Sequence, residues 1–203
     1  MTELLLIRHG ETDHNRQSRF QGQIDVPLNA TGRAQAERLA QRLADEPLDA
    51  LVSSDLQRAR DTAEPLLARR TLPLALDALW REQAFGVLEG LELPKVPETH
   101  PELWAAWARH EADHAPPGGE SYRAFHARVM QAIRELAEAH PGRRVAVFTH
   151  GGVLDMAWRE ARGLPLAGPR SCPIPNTGIN RLRWDGGRLE ILQWADGAHL
   201  EGA

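Results

Sequence analysis

The chain predicts an α/β layered fold, on three observations. Short apolar runs that suit buried strands alternate with stretches whose apolar residues recur at helical spacing. Two of the runs, Leu4-Leu5-Leu6-Ile7 and Val145-Ala146-Val147-Phe148, lead directly towards a histidine followed by glycine. The punctuation between segments is turn chemistry, with no internal repeat or low-complexity tract.

Taken in order, residues 4–7 read as the first strand, and a polar loop then runs through Pro27. Thr31 is placed to cap a helix whose apolar positions are Ala36, Leu39, Ala40 and Leu43, and Pro47 requires that helix to stop before it. Ala50-Leu51-Val52 is a second strand. Ser53-Ser54-Asp55 supplies capping oxygens for a second helix, which carries Arg58 and is kinked or ended at Pro65. Residues 91–119 lose strand patterning and turn rich in Pro, His and Glu, with an amphipathic piece at 103–108, and read as an insertion over the site. From Ser121 a long helix places Phe125, Val129, Ala132, Ile133 and Leu136 on one stripe, stopping at Pro141-Gly142 before the strand that reaches His150. A helix over 151–162 ends at Gly163. Residues 179–184 and 189–194 form a hairpin around Asp185-Gly186-Gly187.

With 203 residues and 42% hydrophobic content, one domain over 1–203 with a real core is expected. No apolar stretch approaches a membrane span. A net charge of −4 argues against a nucleic-acid partner, which needs clustered cations to displace counterions. Cys172 has no partner for an internal disulfide, and no basic and apolar leader precedes the first strand, so a reducing cytoplasm is the expected location. Trp80, Trp158, Trp184 and Trp194 sit in periodic segments and are read as core.

Arg8-His9-Gly10 is a weak signal alone, yet its position at a strand end suits phosphate. Arginine offers a permanent forked cation, and a neutral imidazole can attack phosphorus and carry the phosphoryl group. Glycine lets backbone approach a ligand. Singly, His9 and His150 can also be packed core histidines or metal ligands, although Arg8 would repel a cation beside His9. Arg58 lies just after a strand-to-helix turn, where helix N-termini favour anions. His14, His100, His110, His114, His126, His140 and His199 are read as surface or packing residues.

Together these residues resemble the histidine phosphatase superfamily, also called phosphoglycerate mutase-like, and its phosphatase branch in particular. The resemblance runs through Arg8-His9-Gly10-Glu11-Thr12 with Asn15, Gln21-Gly22, Asp25-Val26-Pro27-Leu28 and Thr31-Gly32. It continues in Ser53-Ser54-Asp55-Leu56, Arg58-Ala59, Thr62-Ala63, Glu82, Phe85-Gly86 and Glu89-Gly90, then Pro117-Gly118-Gly119-Glu120-Ser121 and Thr149-His150-Gly151-Gly152. It implies a three-layer α/β/α sandwich with a mostly parallel central sheet. It also implies a phosphomonoester hydrolase without metal or cofactor, acting on a small phosphorylated metabolite.

In that resemblance His9 is the nucleophile, and Arg8, Arg58 and His150 surround the transferred group. Glu82 is the general acid, while Asn15, Gln21, Gly22 and Gly151 contribute to substrate binding. The chemistry asks for such an acid, since an alkoxide leaves poorly unless protonated as it departs; Glu11 and Glu89 compete for that role but suit structural hydrogen bonds. A bisphosphoglycerate-dependent mutase of the same superfamily is the first alternative. It is disfavoured because the 91–119 insertion carries only Lys95 and Arg109 as cations, and Gln83-Ala84-Phe85-Gly86 replaces the Arg-His-Tyr-Gly run that the mutases share. A catalytically silent binding relative is the second. Trp104, Trp107 and His110 can form a pocket wall or pin the insertion down. The sequence leaves the oligomeric state open, a homodimer included, and does not name the substrate.

Overall fold

The computed structural model describes residues 1–201. Its centre is a six-stranded sheet in the order β3-β2-β4-β1-β5-β6. The strands are β1 (Thr2–Arg8), β2 (Ala50–Ser53), β3 (Leu74–Leu76), β4 (Arg144–Thr149), β5 (Ile179–Asp185) and β6 (Arg188–Asp196). The first four in that order pair in parallel, whereas β5 and β6 add an antiparallel edge. The helices are α1 (Asp13–Arg16), α2 (Ala30–Arg42), α3 (Gln57–Leu67), α4 (Val96–Thr99), α5 (Pro101–Ala108), α6 (Tyr122–Ala139) and α7 (Gly151–Arg162).

Why the sheet is covered on both faces follows from side-chain alternation along its central strands. Leu4 and Leu6 of β1 with Val145 and Val147 of β4 face Phe125, Val129, Ile133, Leu154 and Ala157 of α6 and α7. Leu5, Ile7, Ala146 and Phe148 face Leu39, Ala40, Ala59, Ala63 and Leu66 of α2 and α3. All four apolar residues of β1 are fully buried, each contributing about 1.5–3 kcal/mol over exposure.

Two caps differ from expectation. Asn29, not Thr31, caps α2: its side chain accepts from the Gly32 N–H at 2.8 Å, and its own N–H donates to the Glu11 carbonyl. None of Ser53, Ser54 and Asp55 is the N-cap of α3, whose N-cap residue is Leu56. Asp55 is drawn to Arg81, and the Gln57 N–H is received by Asp25 from a distant loop. Pro65 is accommodated inside α3, which ends two residues later. Ser121 and Gly163 perform as expected, Ser121 accepting from the Ala124 N–H and Gly163 ending α7 at φ 62°. Strand β3, three residues long and paired only with β2, was not foreseen. Trp80 is fully buried, and Trp158, Trp184 and Trp194 pack around the α6–α7 side of the core.

Residues 91–119 form two short helices and turns. Leu103, Trp104 and Trp107 pack on a small separate cluster of Phe20, Leu88 and Val96. No helix among the described residues is long and apolar enough to cross a membrane.

Candidate active site

Parallel strands place ligands beyond their carboxyl ends, and β1, β2 and β4 end together here. Arg8 at the end of β1 is paired with Thr149 of β4, and Ser53 of β2 with Phe148. His9 and His150 follow these ends, and their ring centres lie 5.3 Å apart. Strands separated by well over a hundred residues of chain thus deliver the two imidazoles side by side.

The tautomers follow from the hydrogen bonds. His9 Nδ1 lies 2.7 Å from the Gly10 carbonyl oxygen, which can only accept, so Nδ1 carries the proton and Nε2 keeps its lone pair. Ser54 Oγ accepts from the Leu56 N–H and lies 2.8 Å from His150 Nε2, which is the one acceptor paired with the hydroxyl's own proton among the described residues. His150 Nδ1 then holds the proton and has no protein partner. Burial, reinforced by Arg58 and Arg8, holds both histidines well below the ordinary imidazole pKa, so both are neutral near pH 7.

Arg58 is fully buried near the start of α3 and donates to the carbonyls of Ile24 at 2.9 Å and Gly22 at 2.7 Å. Arg8 donates to the Ile174 carbonyl at 2.7 Å. Each guanidinium keeps a buried Nε with no partner. Burial lowers both to about 10, helped at Arg8 by repulsion from Arg170, so both remain cationic. Mutually repelling, desolvated cations held in place are a receptor for an anion.

Glu82 follows Trp80 and Arg81, and its Oε2 accepts from the Gly152 N–H at 3.0 Å, tying it to the first turn of α7. Gly152 leaves room for that carboxylate, because a Cβ would fall 2.1 Å from Glu82 Oε1 and displace it. Glu11 accepts from Asn29 Nδ2, and Glu89 accepts from the Gln23 and Phe85 N–H groups, so both are occupied structurally. Asn15 accepts from the Thr12 N–H through Oδ1 and lines the cleft. Gln21 Oε1 accepts from Thr12 Oγ1. Gly22 lines the same cleft but gives its carbonyl to Arg58, and Gly151 starts α7 beneath Arg8.

Gly10 serves a different end from the one its motif suggested. A Cβ there would meet the Gly32 carbonyl at 2.6 Å, so the residue is small to let α2 pack on the loop, not to admit a ligand. The cleft, about 380 Å³, is lined by Arg8, His14, Asn15, Gln21, Glu82 and Trp107 among others. His14, which the sequence marks only as a surface or packing residue, lines this cleft, and His110, a candidate for pocket wall, lines the neighbouring cavity. It missed Arg170 altogether, which lines both spaces. Trp107 packs edge-on to Phe20 at 5.1 Å and also lines both spaces, whereas Trp104 packs against it, tilted by 37°, at 5.3 Å. Trp107 therefore both pins the insertion and forms wall. Lys95 and Arg109 lie outside, paired with Glu92 and Glu111. Among the described residues, no group of three or more His, Cys, Asp or Glu is arranged to hold a metal ion.

The family model of the histidine phosphatase superfamily, branch 1, matches residues 4–197. Phosphoglycerate mutase-like protein 4 of Arabidopsis thaliana is 37% identical to this chain, over 98% of it and 87% of the relative. The metal-independent phosphoserine phosphatase of the same plant is 36% identical, over 98% and 84%. Among solved structures, Bacillus stearothermophilus YhfR superposes with a TM-score of 0.91 at 32% identity, covering 99% of this chain and all of that one. Motif, sheet order and full-length similarity agree, and the chain belongs to the histidine phosphatase superfamily, branch 1.

Proposed function

We propose that this chain is a metal-independent phosphomonoester hydrolase that forms a phosphohistidine on His9 Nε2. The observation that carries this reading is the Nδ1–H of a neutral His9 held by the Gly10 carbonyl, beside two uncompensated guanidiniums. Such a ring is a nucleophile already in its reactive tautomer. The phosphoryl oxygens bind Arg8, Arg58 and the Nδ1–H of His150, with Asn15, Gln21 and the Gly151 N–H as neutral donors. These groups meet charge that spreads over the equatorial oxygens. Nε2 attacks phosphorus, the bond to the leaving oxygen breaks, and the Glu82 carboxyl gives that oxygen its proton. The resulting carboxylate takes a proton from water as it attacks the phosphohistidine, the P–N bond breaks, and inorganic phosphate departs. The substrate is a small phosphorylated metabolite, with residues 91–119 covering the cleft through Trp107.

The test is release of inorganic phosphate from a panel of phosphomonoesters after exhaustive chelation. Turnover should survive EDTA and be inhibited by vanadate; activity restored only by a divalent metal would reject the reading. With 3-phosphoglycerate and a trace of bisphosphoglycerate, little 2-phosphoglycerate should form, whereas rapid interconversion would identify a mutase. Glu82→Gln should slow alkyl phosphates far more than nitrophenyl phosphate, whose leaving group needs no proton. An equal loss on both would remove Glu82 from the acid's role.

A further inference from the structure

Beside the cleft lies a cavity of about 240 Å³, and the two share Glu82, Phe85, Trp107 and Arg170. On the hydrolase reading, on which this inference rests, the oxygen that Glu82 protonates sits at that shared boundary. The group attached to that oxygen then extends past Glu82 into the side cavity.

Arg170 is the most loosely held charge in this space. Arg159, which also lines it, is bound to Asp155 at 2.9 Å and donates to the carbonyls of Pro165, Ala167, Gly168 and Pro169. Arg170 makes no hydrogen bond to protein among the described residues. Its nearest carboxylate oxygen, Asp155 Oδ1, is 4.0 Å from its Nε and is itself buried without a hydrogen-bond partner. The charge of Asp155 is already answered by Arg159 through Oδ2. Meanwhile Arg170 Nη1 and Nη2 and Arg8 Nε each lie 3.5 Å from one point, the place a Cβ on Gly151 would take. Two guanidiniums crowd over the first turn of α7, and an added anion would relieve their repulsion.

A phosphomonoester dianion is already met by Arg8 and Arg58. A third cation, on a loop fixed by Arg159 and facing a small cavity with aromatic walls, calls for a further negative charge on the organic part. We infer that Arg170 selects the leaving group by binding a carboxylate on it, so the favoured substrates are phosphomonoesters of small hydroxy acids.

The experiment compares kcat/KM within pairs that differ only at the carboxylate: O-phosphoserine against O-phosphoethanolamine, and 3-phosphoglycerate against glycerol 3-phosphate. The wild-type chain should favour the acid in each pair by about tenfold or more, the factor expected from one charge-assisted contact. Arg170→Met should bring both ratios close to one, and Arg170→Lys should restore part of them. Arg170 is 44% exposed at its side chain, and the melting temperatures of both variants should stay near that of the parent. A flat ratio in the wild-type chain, a ratio unchanged in Arg170→Met, or equal loss on both members of a pair would overturn the inference. So would a preference for a second phosphate over a carboxylate, tested with glycerol bisphosphate. Nitrophenyl phosphate separates the two levels: turnover of it with flat ratios rejects only the role of Arg170, while its absence in the wild-type chain rejects hydrolysis itself.

Discussion

His9 and Arg58 illustrate how little freedom the central side chains retain. His9→Ala removes the atom that would carry the phosphoryl group, and no neighbouring residue can replace it. Turnover and acid-labile phosphate on the protein should both vanish, while the circular dichroism spectrum stays that of the parent; label recovered on another residue would refute the assignment. Arg58→Ala should raise KM and lower kcat together. The barrier cost should be about 2–4 kcal/mol, as for other preorganised donors, and loss of the bonds to Gly22 and Ile24 should also loosen that loop. Both residues were legible in the sequence because each stands immediately after a strand or turn that can be read locally. Arg170 was not, for it sits in a connection without periodicity, and only the fold brings it to Arg8. His14 escaped for the same reason: a single histidine in a polar stretch carries no signal until a cavity forms against it.

The first turn of α7 joins an element to the chemistry. Glycine to alanine inside a helix ordinarily stabilises by about 1 kcal/mol, but at Gly152 the new methyl would strike Glu82 and Phe125. Gly152→Ala should therefore leave the melting temperature within a few degrees of the parent, yet cut the hydrolysis of alkyl phosphates more than that of nitrophenyl phosphate. An equal effect on both would show that the methyl disturbs the phosphate cradle and not the carboxylate. Helix starts were less legible than helix stops. Gly163 and the Pro141-Gly142 pair act through their own backbone geometry. The starts of α2 and α3, by contrast, were decided by remote partners, Glu11 for Asn29 and Asp25 for Gln57. Strand β3 is too short to show periodicity and exists because β2 offers it an edge.

For the molecule as a whole, burying two imidazoles beside guanidiniums ties stability to pH. Both are depressed in the folded chain and ordinary, at about 6.5, in the unfolded one. Their contribution is thus complete above about pH 6.5 and lost progressively below it, as the unfolded chain binds protons that the folded one refuses. The urea midpoint should fall between pH 7 and pH 5. The double variant His9→Gln, His150→Gln should show a shallower fall, retaining the part due to His14 and His199, which shift in the same direction. An unchanged slope would mean that neither histidine is neutral when folded. The layered architecture itself was legible because the unbroken apolar runs of β1 and β4 require two covered faces. The sheet order was not, since no local pattern says that β4 lies between β1 and β2. That order has its own consequence for synthesis. As the nascent chain emerges, β1 and β2 have no direct pairing with each other, and the strand that joins them arrives only at residues Arg144–Thr149. Until then Leu4–Ile7 has no strand partner and Leu51–Val52 is paired on its β3 side alone, so both offer apolar edges prone to association with other chains. A fragment ending before β4 should therefore aggregate instead of folding as a half-domain, because the centre of the sheet cannot close until more than two-thirds of the polypeptide has been made.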